Sequence, residues 1–425
     1  MAKETDTSMK AAWIATALFT IVYVLHSVDR FVISVVIEPI RHEFGLTDTQ
    51  LGALGGIAHA IAYSVFVLPV GWLLDRTNRV RLLTVALALW SGLTMLGALA
   101  SGYWHLFLMR MGVGAAEAAT SPSVQSLVAS LFPPKMRASA MGVVFSGVAI
   151  GTGLIFAIGG VIAHAFGWRY VFLVAGLPGL LLAIIMWAYL KEPPRRTPQG
   201  SVETPPSMRE ALLFVAKTPP IWLSAVGLTL ASMSVASVWT WITPILVRHQ
   251  GFSLAQAGMI VGVSAGVVKF GSTFFSGFLS DWIAKGRVER LWIVPSTAMI
   301  LSLPAAAGVA FAPAQWLVIA CVMLLGLTLG THYSAPRAVI VSVAPERMRG
   351  SVASIEQLVV NLLGAGMGPL VTGVISDQFG GENSVGLALV ATLSINLVAA
   401  LCFALSARGA RDAEGDAITA SAATH

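Results

Sequence analysis

"GWLLD" (71–75) closes one apolar stretch of this chain, and "GFLSD" (277–281) closes another 206 residues later. Both read Gly-x-Leu-x-Asp. A second pair keeps step. "PPKMRAS" (133–139) and "PERMRGS" (345–351) lie 212 residues apart and share Pro, a base, Met, Arg and Ser in order. Two matches at nearly equal offset, each at the corresponding loop, mark an internal duplication. The chain reads as two related halves.

The 425 residues are 56% hydrophobic and 11% charged, against about 25% charged in an ordinary soluble domain. A soluble fold of this length could not hide so much apolar surface. Twelve apolar runs reach spanning length: 12–37, 48–74, 80–101, 104–131, 138–163, 169–190, 220–246, 254–280, 291–311, 315–343, 351–376 and 384–406. They are too long and uniform for the alternating strands of a β-barrel. The expected fold is an all-α membrane protein, with twelve transmembrane helices in two pseudo-symmetric six-helix halves (1–190 and 218–407). Residues 191–217, rich in Pro and charge, read as a cytoplasmic linker with a short helix from Met208. Residues 408–425 read as a polar, disordered cytoplasmic tail.

The net charge of +6 is scattered in short clusters between apolar runs. That pattern fits membrane topology and not a nucleic-acid partner. With the N-terminus in the cytoplasm, nineteen of the 26 Lys and Arg fall on the cytoplasmic side. Three fall outside (Arg41, Arg169 and Arg248) and four lie within spans (Arg30, Arg110, Lys269 and Arg337). Both termini are therefore expected in the cytoplasm. The first run lacks a signal-peptide cleavage site and is expected to be retained. Cys321 and Cys402 lie in apolar runs, so no disulfide, metal site or cofactor is read. Neither a phosphate-binding G-x-x-x-x-G-K-[ST] loop nor an H-E-x-x-H motif occurs. Energy for any transport is then expected from an ion or substrate gradient, and an embedded enzyme is not expected.

"GWLLDRTNRVR" (71–81) resembles the signature loop between the second and third helices of the major facilitator superfamily. The resemblance covers essentially the whole chain. Within that superfamily the chain is most similar to bacterial spinster-like proteins, with the anion:cation symporters as close relatives. The stretches that carry this are "VDRF" (28–31), "RMGVGAAEA" (110–118), "GWRYVFLVAGLPGLLLAIIMWAYLKEPPR" (167–195) and "NLLGAGMGPLVTGVISDQFG" (361–380). The resemblance implies the major facilitator fold and a monomeric transporter in a bacterial inner membrane. His26-Ser27 stands where both groups usually carry Asn-Tyr. Lys269 and Arg337 stand where spinster-like relatives are commonly small or apolar.

Charges inside spans mark the candidate site. One charge at mid-bilayer costs about 2.5–3.5 kcal/mol on translocon scales, so these residues are expected to face water or one another. Asp29 and Glu117 are the candidate proton carriers. Arg30, Arg110, Lys269, Arg337, Glu356 and Trp239 are the candidate substrate residues. Arg110 and Glu117, seven apart, share a helix face. The simplest arrangement turns Asp29 towards Arg110 and sets Arg30 beside Glu117, on the face it shares with His26. Glu356 is expected to pair with Lys269 or Arg337, and Lys269 has the alternative of snorkelling to the cytoplasmic edge. Trp239 and Trp241 flank a break expected at Pro244. His59 and His332 read as core residues. Gly71, Asp75 and Arg76, with Asp281 in the second copy, read as a cytoplasmic gate. There a carboxylate can accept from a helix N-terminus of the other half in only one of two states.

The expected function is secondary active transport of a small organic or amphiphilic anion by alternating access, coupled to protons. Four intramembrane bases against three acids favour an anion. An anion on Arg30 or Arg110 and a proton on Glu117 would favour each other's binding by reciprocal linkage. Small carboxylates, sugar acids and lysolipid-like anions all fit, and the spinster-like resemblance favours the last.

Overall fold

The computed structural model describes residues 2–194 and 208–423. Among the described residues there is no strand, and twelve helical spans follow one another. Span 1 is Ala2–Phe44, span 2 Asp48–Arg76, span 3 Arg79–Leu99, span 5 Pro134–Phe166 and span 6 Trp168–Tyr189. In the second half, span 7 is Pro219–Arg248, span 8 Leu254–Ala284, span 9 Ile293–Phe311 and span 11 Arg349–Phe379. Span 12 is Ser384–Leu393 continued by Asn396–Ala423.

Spans 4 and 10 differ from expectation. Each apolar run is one stretch in sequence but two helices in the structure. Span 4 is Tyr103–Glu117 followed by Thr120–Leu131, and span 10 is Gln315–Leu329 followed by Ser334–Val343. Pro122 and Pro336 explain both breaks. A proline has no N–H for the carbonyl four residues back, which here is that of Ala118 and of His332. The two breaks sit at equivalent places in the two halves, so the duplication includes its defects. Spans 8 and 11 each carry a π-helical segment, Ser264–Val268 and Val360–Gly366. Such wide turns are frequent at functional sites.

The linker begins strapped to the first half. Glu192 accepts hydrogen bonds from Arg79 Nε (2.6 Å) and from the backbone N–H of Val80 (3.0 Å). Residues 195–207 of the expected linker lie outside the described residues. The short helix expected from Met208 is present as Met208–Lys217. Of the tail expected to be disordered, residues 408–423 are helical and residues 424–425 lie outside the described residues. The last helix runs on to Ala423, so the polar residues after 407 extend it. Cys321 and Cys402 are both free.

The halves meet mainly through span 2 on span 11 and span 5 on span 8. Glycines permit both contacts. A Cβ on Gly56 would collide with the Gly366 carbonyl oxygen, and one on Gly258 with that of Phe156. Small residues at helix crossings let backbones touch, which is how helices associate without a hydrophobic drive between them. At the end of the bundle holding Gly71 and Gly277, a Cβ on either glycine would meet nothing within 4 Å. The bundle is therefore closed at one end and parted at the other.

Candidate functional site: a polar cavity between the halves

Below the closed end lies a cavity of about 390 Å³, within the usual range of about 300–1,000 Å³ for ligand sites. Spans 1, 2, 4 and 5 wall it from the first half, and spans 7, 8, 10 and 11 from the second. Towards the parted end, Gln357 is exposed and Arg337 half-buried.

Four cations expected from sequence all border this cavity: Arg30, Arg110, Lys269 and Arg337. Their partners differ. Arg110, 1% exposed, donates to the backbone carbonyls of Asp29 (2.8 Å) and Arg30 (3.3 Å). It thus holds span 1 by its main chain, and the expected pairing with the Asp29 carboxylate does not form. Both carboxyl oxygens of Asp29 are buried without a hydrogen bond. Arg337 lies 3.4 Å from Glu356, hydrogen-bonds Gln357 and stacks over Tyr333. Glu356 therefore pairs with Arg337 and not with Lys269, and stands behind the cavity wall. Lys269 does not snorkel to an edge. It follows the π turn of span 8 and sets its ammonium 5.5 Å from the Trp239 ring centre, a cation–π contact. Trp239 is buried and forms part of the wall. Arg30 has no side-chain hydrogen bond or ion pair among the described residues and faces the cavity.

Glu117 is fully buried behind the wall. Its Oε2 lies 2.8 Å from His59 Nε2 and 3.3 Å from His26 Nδ1. Both histidines border the cavity. His59 is buried and hydrogen-bonded, as expected of a core residue, and it also borders the cavity beside Glu117. No regularity of sequence links His59 to Glu117 across 58 positions. His332 likewise follows expectation: it is buried, with Nδ1 on the Leu329 carbonyl (2.8 Å).

The gate residues Gly71, Asp75, Arg76 and Asp281 lie at the parted end. Arg76 stacks over Trp72 at 4.2 Å and bonds its carbonyl. At the closed end stands a network that sequence reasoning missed. Arg248 of the second half donates to Glu38 and to Asp48 (2.9 Å) of the first. Asp48 also accepts from Ser376 Oγ (2.7 Å). Asp377, of the second half, accepts from the backbone N–H groups of Asp48 (3.0 Å) and Thr49 (2.8 Å). A carboxylate of one half thus caps a helix N-terminus of the other. A signal was present: "GVISD" (373–377) repeats the Gly-x-x-x-Asp of 71–75 and 277–281 at the opposite end.

No described cluster of His, Cys, Asp and Glu could hold a metal ion. Residues 19–362 match the Major Facilitator Superfamily. An "MFS-type efflux pump" of Mycolicibacterium smegmatis is 30% identical over 95% of this chain and 94% of its own. The "Hexuronate transporter" of Bacillus subtilis is 28% identical over 88% and 91%. Among solved structures, a bacterial homologue of the human lysosomal transporter Spinster, described as inward-facing and unoccupied, superposes with a TM-score of 0.86. It is 25% identical, over 94% of this chain and 97% of that one. Twelve spans in duplicated halves, a polar cavity between them and these matches agree: the chain belongs to the major facilitator superfamily and is a membrane transporter, not an enzyme.

Proposed function

We propose that this transporter moves a small organic anion by alternating access, coupled to protons, as a single chain in a bacterial inner membrane. The observation that carries the reading is that Arg30 and Lys269, one from each half, line one cavity with no side-chain hydrogen bond or ion pair among the described residues. Unpaired charge at membrane depth is costly unless it faces water or a ligand of opposite sign. The relatives support an acid, since one is named for hexuronate.

The Lys and Arg bias puts the parted end, with Asp75 and Asp281, in the cytoplasm. The structure is then open inwards, like the neighbour described as inward-facing. Opening outwards requires the Arg248 and Asp377 contacts to break and the Asp75 end to close. An anion reaching the cavity from either side meets Arg30 and Lys269. A proton reaches Glu117 through His59 or His26, because Glu117 itself does not border the cavity. Anion and proton oppose each other's charge in a poorly hydrated space, so each favours the other's binding. Both acids stay candidates, Glu117 with its imidazole partners and Asp29 with none.

A lysolipid-like anion is the second reading. Phe31, Phe145, Val148 and Val235 line part of the cavity and would meet an acyl chain. Purified protein in liposomes decides between them. An alkaline-inside gradient should drive accumulation of galactonate. Uptake of lysophosphatidic acid in its place would transfer the site to the second reading. Galactonate uptake indifferent to the pH gradient would remove the proton from the mechanism.

A further inference from the structure

We infer that the cavity is built for a ligand with an anionic group at each end, a short polyhydroxylated dicarboxylate, with Arg30 holding one carboxylate and Lys269 the other. This rests on the anion reading above and narrows it to one class.

The partners of each charge lead there. Arg110 gives its two terminal nitrogens to the carbonyls of span 1 and keeps a buried Nε without a hydrogen bond, and Arg337 faces Glu356 and Gln357. Arg30 and Lys269 are the two that make no side-chain hydrogen bond or ion pair among the described residues. One belongs to span 1 and the other to span 8, so they stand in different halves and on separate walls. They differ in kind as well. A guanidinium offers a planar fork of donors that fits a carboxylate, whereas an ammonium is a compact point charge. Lys269 is held at the Trp239 face, which fixes its position without cancelling its charge.

The charge balance agrees. Four cations border the cavity, and three buried carboxyls, Asp29, Glu117 and Glu356, stand behind them. With every carboxyl ionised the group carries one positive charge. A coupling proton on either Asp29 or Glu117 raises this to two. A dianion leaves the proton-loaded site neutral, and a monoanion leaves one charge to be enclosed when the halves close over it. Enclosing an uncompensated charge is strongly unfavourable. A ligand anchored at both ends also ties the two halves together, which is what closing the parted end requires. The same cavity is lined by the polar residues Tyr63, Ser232, Thr240 and Asn361. These suit a chain of hydroxyl groups and offer little to a hydrocarbon spacer.

The test uses the full-length protein in detergent at pH 7.5, where a phosphate monoester is largely dianionic, and three probes of equal carbon number: galactonate, galactarate and galactose 1-phosphate. They carry one terminal carboxylate, two terminal carboxylates, and a dianionic group at one end only. Titration calorimetry should show galactarate binding at least about tenfold more tightly than either of the others, as expected for one added charge-assisted contact. Lys269→Met should weaken all three and bring the galactarate to galactonate ratio to within about twofold. Lys269→Arg, which keeps the charge, should retain most of the preference, and its folding serves as the control for the Met variant. Equal binding of galactarate and galactonate, or a preference that survives Lys269→Met, would overturn the two-ended site while leaving the anion reading standing. Galactose 1-phosphate binding as tightly as galactarate would show that total charge matters and placement does not, and would also overturn it. Binding of none of the three would overturn the anion reading itself.

Discussion

Glu117 does not border the cavity and its Oε2 faces the imidazoles of His59 and His26, and this decides how its replacement should behave. Glu117→Gln keeps the shape of a protonated carboxyl and still accepts from His59, but cannot release a proton. Counterflow of galactonate in liposomes should persist, while accumulation driven by a pH gradient should be lost. Asp29→Asn is the control, and if Asp29 carries the proton the two phenotypes exchange. Concentrative uptake surviving in both variants would dismiss proton coupling at these acids. Arg337 makes a different kind of prediction. Its loss strands Glu356, which is 4% exposed, as an unpaired buried charge at a cost of roughly 3–5 kcal/mol in fully buried pairs. Arg337 is itself 42% exposed, so water screens part of this and a smaller loss is expected. Arg337→Ala should lower the melting temperature, and adding Glu356→Gln should recover at least half of the drop. Arg337→Ala that melts like the parent would show that the pair contributes nothing to stability. Asp29, Arg30, Arg110, Glu117, Lys269 and Arg337 were legible in the sequence because charge in an apolar run is costly and therefore conspicuous. Their partners were not. Arg110 chose backbone carbonyls over a neighbouring carboxylate, and His59 came from another helix, choices set by how helices rotate when they pack.

The helices that join the two halves approach most closely at glycines, beside the side-chain contacts of Arg248, Asp48 and Asp377. Hydropathy located most of the twelve spans to within about four residues, since the bilayer dictates their length, but the helices of spans 1 and 12 run past their apolar stretches, to Ala2 and to Ala423. It did not see that spans 4 and 10 are broken, because a break leaves the composition apolar. Pro122 and Pro336 carried that information, three residues beyond each gap. The closed end depends on close backbone approach at span 5 and span 8, where a Cβ on Gly258 would strike the Phe156 carbonyl and one on Gly262 the Gly153 carbonyl (2.9 Å). Gly258→Val should prevent this approach and leave the other state, closed at the Asp75 end, comparatively undisturbed. The expected outcome is a folded protein that admits an impermeant thiol reagent to Ala236→Cys from outside, in a background with Cys321 and Cys402 replaced by Ser. Gly71→Ala is the counterpart, harmless in the present state because that position has room. Labelling from outside that is no greater in Gly258→Val than in the parent would show that span 5 can retreat and that the glycine is not what permits closure.

On the alternating-access reading we propose, the whole molecule balances two closures, each held by a carboxylate at the end of a helix. Asp377 ends span 11 and caps span 2 at the closed end. Asp75 ends span 2, and Asp281 span 8, at the parted end. The same Gly-x-x-x-Asp pattern therefore serves both ends, as expected of helices related by inverted repeats within each half. A contact present in only one of two states shifts their ratio by its full differential energy. Asp377→Ala removes a cap from two backbone N–H groups, an effect of about 1–2 kcal/mol, which is about five- to thirtyfold in the ratio. The population should move away from the inward-open state, seen as faster labelling of Ala236→Cys from outside. Asp75→Asn should act in the opposite sense, stabilising inward opening and slowing that labelling, with galactonate affinity changed little because the residue lies far from the cavity. The two sites are at opposite ends and share no partner, so their effects should add. Asp377→Ala combined with Asp75→Asn should therefore label at close to the parent rate while each single variant departs from it in its own direction. Turnover should not recover in the same way. Transport needs each closure to form in turn, and a protein that has lost a latch at both ends returns to a balanced ratio with both closed states weakened. Restored labelling with depressed turnover is the signature of two opposed gates. If instead both single variants shift labelling in the same direction, Asp75 and Asp377 do not hold opposite states, and the assignment of the two ends is wrong.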